Sequence, residues 1–414
     1  MKEFKEFKFC SQLHSAIERL GFSEPTEIQA KSIPLVLEGK DILGESATGS
    51  GKTLAFGCGI IQKVEPKKGL QALILTPTRE LAEQVRTVIS KLGHGSNLHI
   101  LSIYGGVSIN PQIDKLRTAD IVISTPGRLM DHLERGTVSL ANVKILVLDE
   151  ADRMLDMGFI EDIERIIRAC PRNRQNLFFS ATILPGIERL ARNYMNSPTK
   201  VFTTNQVDPS KLSQFYYEVP RNMKISLLIH LLKHETSNLV MVFCNTRRST
   251  DLVINNLKAN GVSANAIHGG FSQNQRSKAM DQIKSGHTKV LVCTDVAARG
   301  IDITNVSHIY NYEIPKDPVD YVHRIGRTAR AGAEGKVINL LCDFDYDNFS
   351  RVLSDYRFEP QRMEVPAIER VAVRLQERSR RGPQGQGRGF QGQGRGYQGR
   401  PGHHGPQRNF HGRR

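Results

Sequence analysis

No stretch of about eighteen apolar residues occurs in the 414-residue chain, so nothing in it reads as a membrane-spanning helix. The opening residues, MKEFKEFKFC, lack the apolar run of a signal peptide. Six Cys, at 10, 58, 170, 244, 293 and 342, never approach CxxC or a short Cys/His spacing, so neither a zinc site nor a disulfide framework is indicated. That cysteine usage points to a reducing compartment, and a cytoplasmic location is the expectation. Residues 378–414 contain neither Lys nor any acidic residue, yet hold nine Arg. There QGQGRGF at 384–390 repeats as QGQGRGY at 391–397. Such a Gly/Gln/Arg segment buries too little apolar surface to offset the ordering of its backbone, so a disordered basic tail is expected over 369–414.

What the chain does have is length for two domains, a hydrophobic fraction of 39%, and a formal net charge of +15. The charge favours a polyanionic partner. The tail accounts for nine of those charges, leaving +6 on the other 377 residues. Short runs apolar on both faces, among them Gln71–Leu75, Ile121–Ser124, Ile145–Leu148 and Leu177–Phe179, read as buried parallel strands. They alternate with stretches of helical period such as Thr53–Val64, Arg79–Leu92 and Gly158–Ala169. The succession is that of an α/β fold. The polar run TTNQVDPSKLS at 203–213 interrupts it, and a second series begins with Leu239–Phe243 and continues through Ser263–Ile267, Val290–Cys293, Val306–Tyr310 and Val337–Leu341. The expected domains are therefore 1–205 and 206–368.

Gly44-Glu45-Ser46-Ala47-Thr48-Gly49-Ser50-Gly51-Lys52-Thr53 follows one predicted strand and opens a helix. Glycines let consecutive backbone N–H groups wrap a polyphosphate, and the helix N-terminus adds its dipole. Lys52 is placed to reach β and γ phosphates, and Thr53 to offer its hydroxyl to Mg²⁺; Ser50 and Gly51 complete the loop. About 100 residues later, Ile145–Leu148 delivers Asp149 and Glu150 to a sheet's carboxyl edge, where open α/β sheets bind ligands. Asp149 suits Mg²⁺, and Glu150 can orient or deprotonate an attacking water.

With Asp149-Glu150-Ala151-Asp152 in place, the chain from Phe4 to about Phe358 resembles the DEAD-box RNA helicases of superfamily 2. The resemblance implies two tandem RecA-like domains with parallel sheets, a monomer, and the cofactors ATP and Mg²⁺. Through Gly21-Phe22-Ser23-Glu24-Pro25-Thr26-Glu27-Ile28-Gln29 it implies that Gln29 pairs with adenine and that Phe4, seventeen residues before Gly21, stacks on it. It gives Ser180 and Thr182 of Ser180-Ala181-Thr182 the task of linking the acidic site to RNA-driven closure, and makes Asp302 a ribose contact. In Tyr321-Val322-His323-Arg324-Ile325-Gly326-Arg327-Thr328-Ala329-Arg330, three Arg at steps of three suit one side of a short helix. By resemblance Arg327 and Arg330 are arginine fingers, while His323 and Arg324 contact the acidic motif across the cleft. Ala329 stands where the family often has Gly.

The same resemblance lays RNA over Pro77, Thr78, Arg79, Gly106, Thr125, Pro126 and Arg128 in the first domain. In the second it uses Thr246, Arg247, Gly270, Gln273, Arg276 and Thr294. Small hydroxyl, glycine and Arg positions at loop and helix starts suit phosphate and 2′-OH contact, so sequence preference is expected to be weak. The tail, with Phe390, Tyr397 and Phe410 among its Arg, resembles RGG-like tails and is expected to add RNA affinity or to reach protein or ribonucleoprotein partners. A DNA-dependent motor and an RNA clamp or annealing factor remain the competing readings.

Overall fold

The computed structural model describes residues 3–46, 49–203, 212–298, 303, 306–329, 334–356 and 358–373; Asp302, Arg330, the side chain of Gln273 and residues 374–414 lie outside the described residues. Two seven-stranded sheets are built. The first contains β1 (Ile42–Glu45), β2 (Ala72–Leu75), β3 (Ile100–Ile103), β4 (Ile121–Ser124), β5 (Ile145–Asp149), β6 (Gln175–Ser180) and β7 (Thr199–Phe202). The second contains β8 (Leu212–Glu218), β9 (Leu239–Cys244), β10 (Ala264–Ile267), β11 (Val290–Thr294), β12 (Val306–Asn311), β13 (Gly335–Leu341) and β14 (Gln361–Arg362). The spatial orders are β3-β4-β2-β5-β6-β1-β7 and β10-β11-β9-β12-β13-β8-β14, so the second sheet repeats the first with every strand advanced by seven. The described pairings are parallel, for example Leu75 beside Leu148 and Asp149 beside Phe179.

Alternating side chains of the central strands enter different cores. Ile145 and Val147 join one apolar cluster while Leu146 and Leu148 join another. In the second sheet Met241 and Phe243 face one cluster, and Val240, Val242 and Cys244 the other. Helices cover both faces, which is why these strands are apolar without alternation. The helix Arg79–Leu92 shows the complementary pattern: Ala82, Val85, Ile89 and Leu92 are buried at helical spacing, and Thr78 caps it by accepting from Leu81 N–H at 3.3 Å. Burying Val85, Ile89 or Leu92 stabilises by roughly 1.5–3 kcal/mol each.

Packing in the second lobe continues past residue 368. Met363 N–H bonds to Tyr216 O at 2.9 Å, and Val371 N–H to Ser226 Oγ at 3.1 Å. Ile368, Val371 and Val373 lie against the second sheet's core. The strip 369–373, assigned to the tail on composition, is therefore part of this lobe, because its apolar residues find a surface to cover.

Candidate functional site

Between β1 and the helix Lys52–Lys63, the chain turns through Gly49 and Gly51, at φ 84° and 94°. A Cβ at Gly51 would lie 2.2 Å from Gln29 Nε2, so only glycine permits the approach. Gln29 Nε2 donates to Gly51 O at 3.1 Å, Thr26 Oγ1 donates to Ser50 O at 2.7 Å, and Ser46 and Ser50 hydroxyls meet at 2.9 Å. Lys52, buried as the first residue of its helix, donates from Nζ to Ser46 O at 2.7 Å, and Thr53 follows it. Gln29 Oε1 accepts from Thr26 N–H at 2.9 Å. The amino end of the Gln29 amide thus holds the loop and the oxygen end caps its own helix, and each keeps capacity for a second bond. Phe4 is 3% exposed, with its ring 6.0 Å from Phe7 and 6.4 Å from Phe22; Phe22 is the exposed aromatic of the three, at 46%.

Across the sheet, β5 brings Asp149 into full burial. Burial pushes its carboxyl up to about 7, against the pull of the Lys52 ammonium and with Glu150 adding to the rise. Asp149 Oδ1 is buried with no hydrogen-bond partner among the described atoms. Glu150 caps the next helix, Ala151–Asp156, from the left-handed region at φ 56°, and its Oε2 accepts from Arg153 Nη1 at 3.0 Å. Asp152, to which the sequence reading gave no role, clamps the neighbouring strand end. Its Oδ2 accepts from Ala181 N–H and Thr182 N–H at 3.1 Å and from Thr182 Oγ1 at 3.3 Å, while Ser180 Oγ accepts from Asp152 N–H at 3.1 Å. Its signal becomes legible only once β5 and β6 are known to be neighbours.

The second lobe contributes Asp320, His323, Arg324 and Arg327 to a pocket that Arg153 of the first lobe also lines. Arg324 corrects the sequence expectation. It is 1% exposed, and its guanidinium is held within its own lobe by both Asp295 oxygens (2.6 and 2.7 Å), Asn311 Oδ1 (3.0 Å), Glu313 O (2.6 Å) and Asn245 Oδ1 (2.8 Å). All five of its N–H groups are thereby occupied, leaving none for the acidic motif. Nor do the motif's Arg line one helix: the helix Pro318–Ile325 stops before Arg327, and Thr328 pairs with Val306.

The candidate RNA residues gather at the remaining strand ends. A Cβ at Gly106 (φ 77°) would fall 1.9 Å from Arg79 Nη1, so the guanidinium lies flat against that glycine. Arg128 donates to Val107 O at 3.0 Å from the helix that begins at Pro126 after Thr125. The second lobe repeats the device, with Thr246 capping the helix Arg247–Ala259 and Arg247 lying against Gly269 and Gly270. Thr294 ends β11. Arg276 Nη2 instead approaches Glu80 Oε1 of the first lobe at 3.0 Å as an ion pair, a partner the sequence reading missed because the two residues meet only across lobes.

A parallel sheet whose glycine loop, Lys52, Asp149 and Glu150 meet at one edge defines a phosphate-loop nucleoside triphosphatase. The DEAD/DEAH box helicase family model matches residues 26–190, and the helicase conserved C-terminal domain matches 223–332. The DEAD-box ATP-dependent RNA helicase CshA of Geobacillus kaustophilus is 42% identical over 372 residues, covering 89% of this chain and 80% of that protein; CshA of Bacillus subtilis is 42% identical over 369, covering 88% and 75%. Saccharomyces cerevisiae Dbp5 bound to RNA and ADP BeF3 superposes with a TM-score of 0.79 at 30% identity, covering 88% of this chain and 96% of that one. A DEAD box protein from Methanococcus jannaschii scores 0.54 at 41% identity, covering 87% and 99%. The chain belongs to the DEAD-box helicase family.

Proposed function

We propose that this chain is an ATP-dependent RNA helicase in which RNA-stimulated hydrolysis drives local separation of RNA duplexes or remodelling of ribonucleoproteins. The observation that carries the reading is the convergence of the phosphate loop, Asp149–Glu150 and Ser180–Thr182 on the adjacent strands β1, β5 and β6. The first lobe's candidate RNA residues follow the carboxyl ends of β2, β3 and β4 on the same edge, and β2 is bonded to β5. A strain on the RNA side therefore has only one strand to cross before it meets the acidic pair. The score on the RNA-bound relative, higher despite lower identity, favours a closed arrangement of the lobes.

Lys52 and the loop N–H groups hold the phosphates, and Gln29 reads adenine with the second bonding capacity of its amide. The unpaired buried Asp149 Oδ1 and the hydroxyl of Thr53 are hard oxygen donors that fit Mg²⁺. When bound there, Mg²⁺ neutralises charge on the transferred phosphoryl group. Glu150 orients the attacking water and takes its proton. Arg327 meets the developing charge when the lobes close, and Arg330 is assigned the same task. The protein acts as a monomer in the cytoplasm. The test is paired. Glu150→Gln should bind ATP normally but turn over about a hundredfold slower or worse, while Arg327→Ala should keep ATP binding and lose RNA stimulation. Near-normal phosphate release by Glu150→Gln would remove the base assignment.

A further inference from the structure

Glu150 stands on an awkward support. Its backbone is left-handed, which a non-glycine residue adopts at a cost of about 1 kcal/mol. Its flexible side chain has one described hydrogen-bond partner, the Nη1 of Arg153. Arg153 itself is 1% exposed, yet the pocket it lines is otherwise walled by the second lobe, through Phe243, Asp295, Asp320, His323 and Arg327. Its Nη2 is buried there without a partner among the described atoms. The contrast with Arg324 is informative. That residue has the full bonding of a structural rivet, whereas Arg153 makes one described side-chain bond, and makes it to the base.

From this geometry we propose that Arg153 is a positioning residue that ties Glu150 to the meeting of the two lobes; this rests on the reading of Glu150 as the base. With the lobes apart, Arg153 faces water. An exposed Arg–Glu pair is weak, so Glu150 swivels. When the second lobe covers Arg153, the same pair lies in a medium of low dielectric and grips strongly. One carboxylate oxygen is then fixed, and the other is presented to water. Lobe closure thus delivers Arg327 and, through Arg153, also holds the base still.

The test uses the full chain with Arg153→Met, which keeps the apolar stem, and Arg153→Lys, which keeps the charge without the planar fork. At saturating RNA, Arg153→Met should lower kcat by about ten- to a hundredfold, with half-saturating ATP and RNA concentrations shifting less than about threefold. Arg153→Lys should recover part of the rate. In a Glu150→Gln background, adding Arg153→Met should cause no further loss, because the group it positions is already gone. Undiminished turnover in Arg153→Met alongside an inactive Glu150→Gln would overturn the proposal and leave the base intact. Losses that multiply in the double variant would equally overturn it, by showing a merely structural role. An active Glu150→Gln would overturn the base assignment and this proposal together. Should Arg153→Met melt early and lose nucleotide binding, Arg153→Lys decides: a folded, ATP-binding, slow enzyme supports positioning, and a wild-type rate refutes it.

Discussion

Asp149 is a carboxyl whose ionisation the fold opposes. Below about pH 4 it is protonated whether the chain is folded or not, and its burial is harmless. As pH rises toward its folded value of about 7, the unfolded chain gives up the proton first, so stability drains away across that interval. Asp149→Asn has no proton to lose. Without nucleotide or Mg²⁺, it should therefore melt about 3–6 °C above the wild type at pH 8, with the gap closing as pH falls toward 4–5, while its ATPase is lost. A melting series against pH, run beside the activity assay, checks both halves; a pH-independent gap would mean the residue is ionised or exposed. Lys52, Gly51 and Asp149 were legible in the sequence because loop and strand place them locally. Asp152, Arg153 and Glu80 were not. Asp152 and Glu80 take their meaning from partners set by chain folding, Thr182 on the next strand and Arg276 in the other lobe, and Arg153 from the second-lobe residues that wall its pocket.

Among elements, the helix Pro318–Ile325 shows why spacing misled. Arg324 and Arg327 look equivalent at a step of three, but the helix ends between them. The first is turned inward to join the ends of β9, β11 and β12, and the second faces the cleft. Arg324→Ala should therefore destabilise the second lobe by about 3–5 kcal/mol, since Asp295 is left without its counter-charge. Arg324→Lys should restore only part of that. Denaturant melts measure both. Most of the strands read from sequence were nearly continuous in apolar residues. The strands β3, β7, β8 and β14 escaped because they lie at or near sheet edges with half-exposed side chains, as in Ser213 and Gln214 of β8. The polar run 203–213 also obscured the start of β8.

For the whole molecule, charge and machinery are separable. Residues 378–414 carry nine cations and no motif residue, so their deletion should leave kcat at saturating RNA nearly unchanged. It should also flatten the salt dependence of RNA binding, by roughly 2 to 4 in slope if about three to six Arg meet phosphate. Anisotropy across a salt series measures this, and an unaltered slope would assign the tail another task.

The repeated strand order carries a consequence for the second lobe. The second lobe's counterpart of β1 is β8, and the helix after it again opens on a buried lysine, Lys224. Its approach, residues 219–223, holds no glycine, so no backbone cradle can form. The Lys224 ammonium is already answered by Asp345 at 2.7 Å, a carboxylate also held by Ile314 N–H and Cys342 N–H. A built-in anion sits where the first lobe leaves room for a phosphate. At the position that matches the first lobe's phosphate loop, the second lobe therefore presents its own carboxylate in place of a backbone cradle.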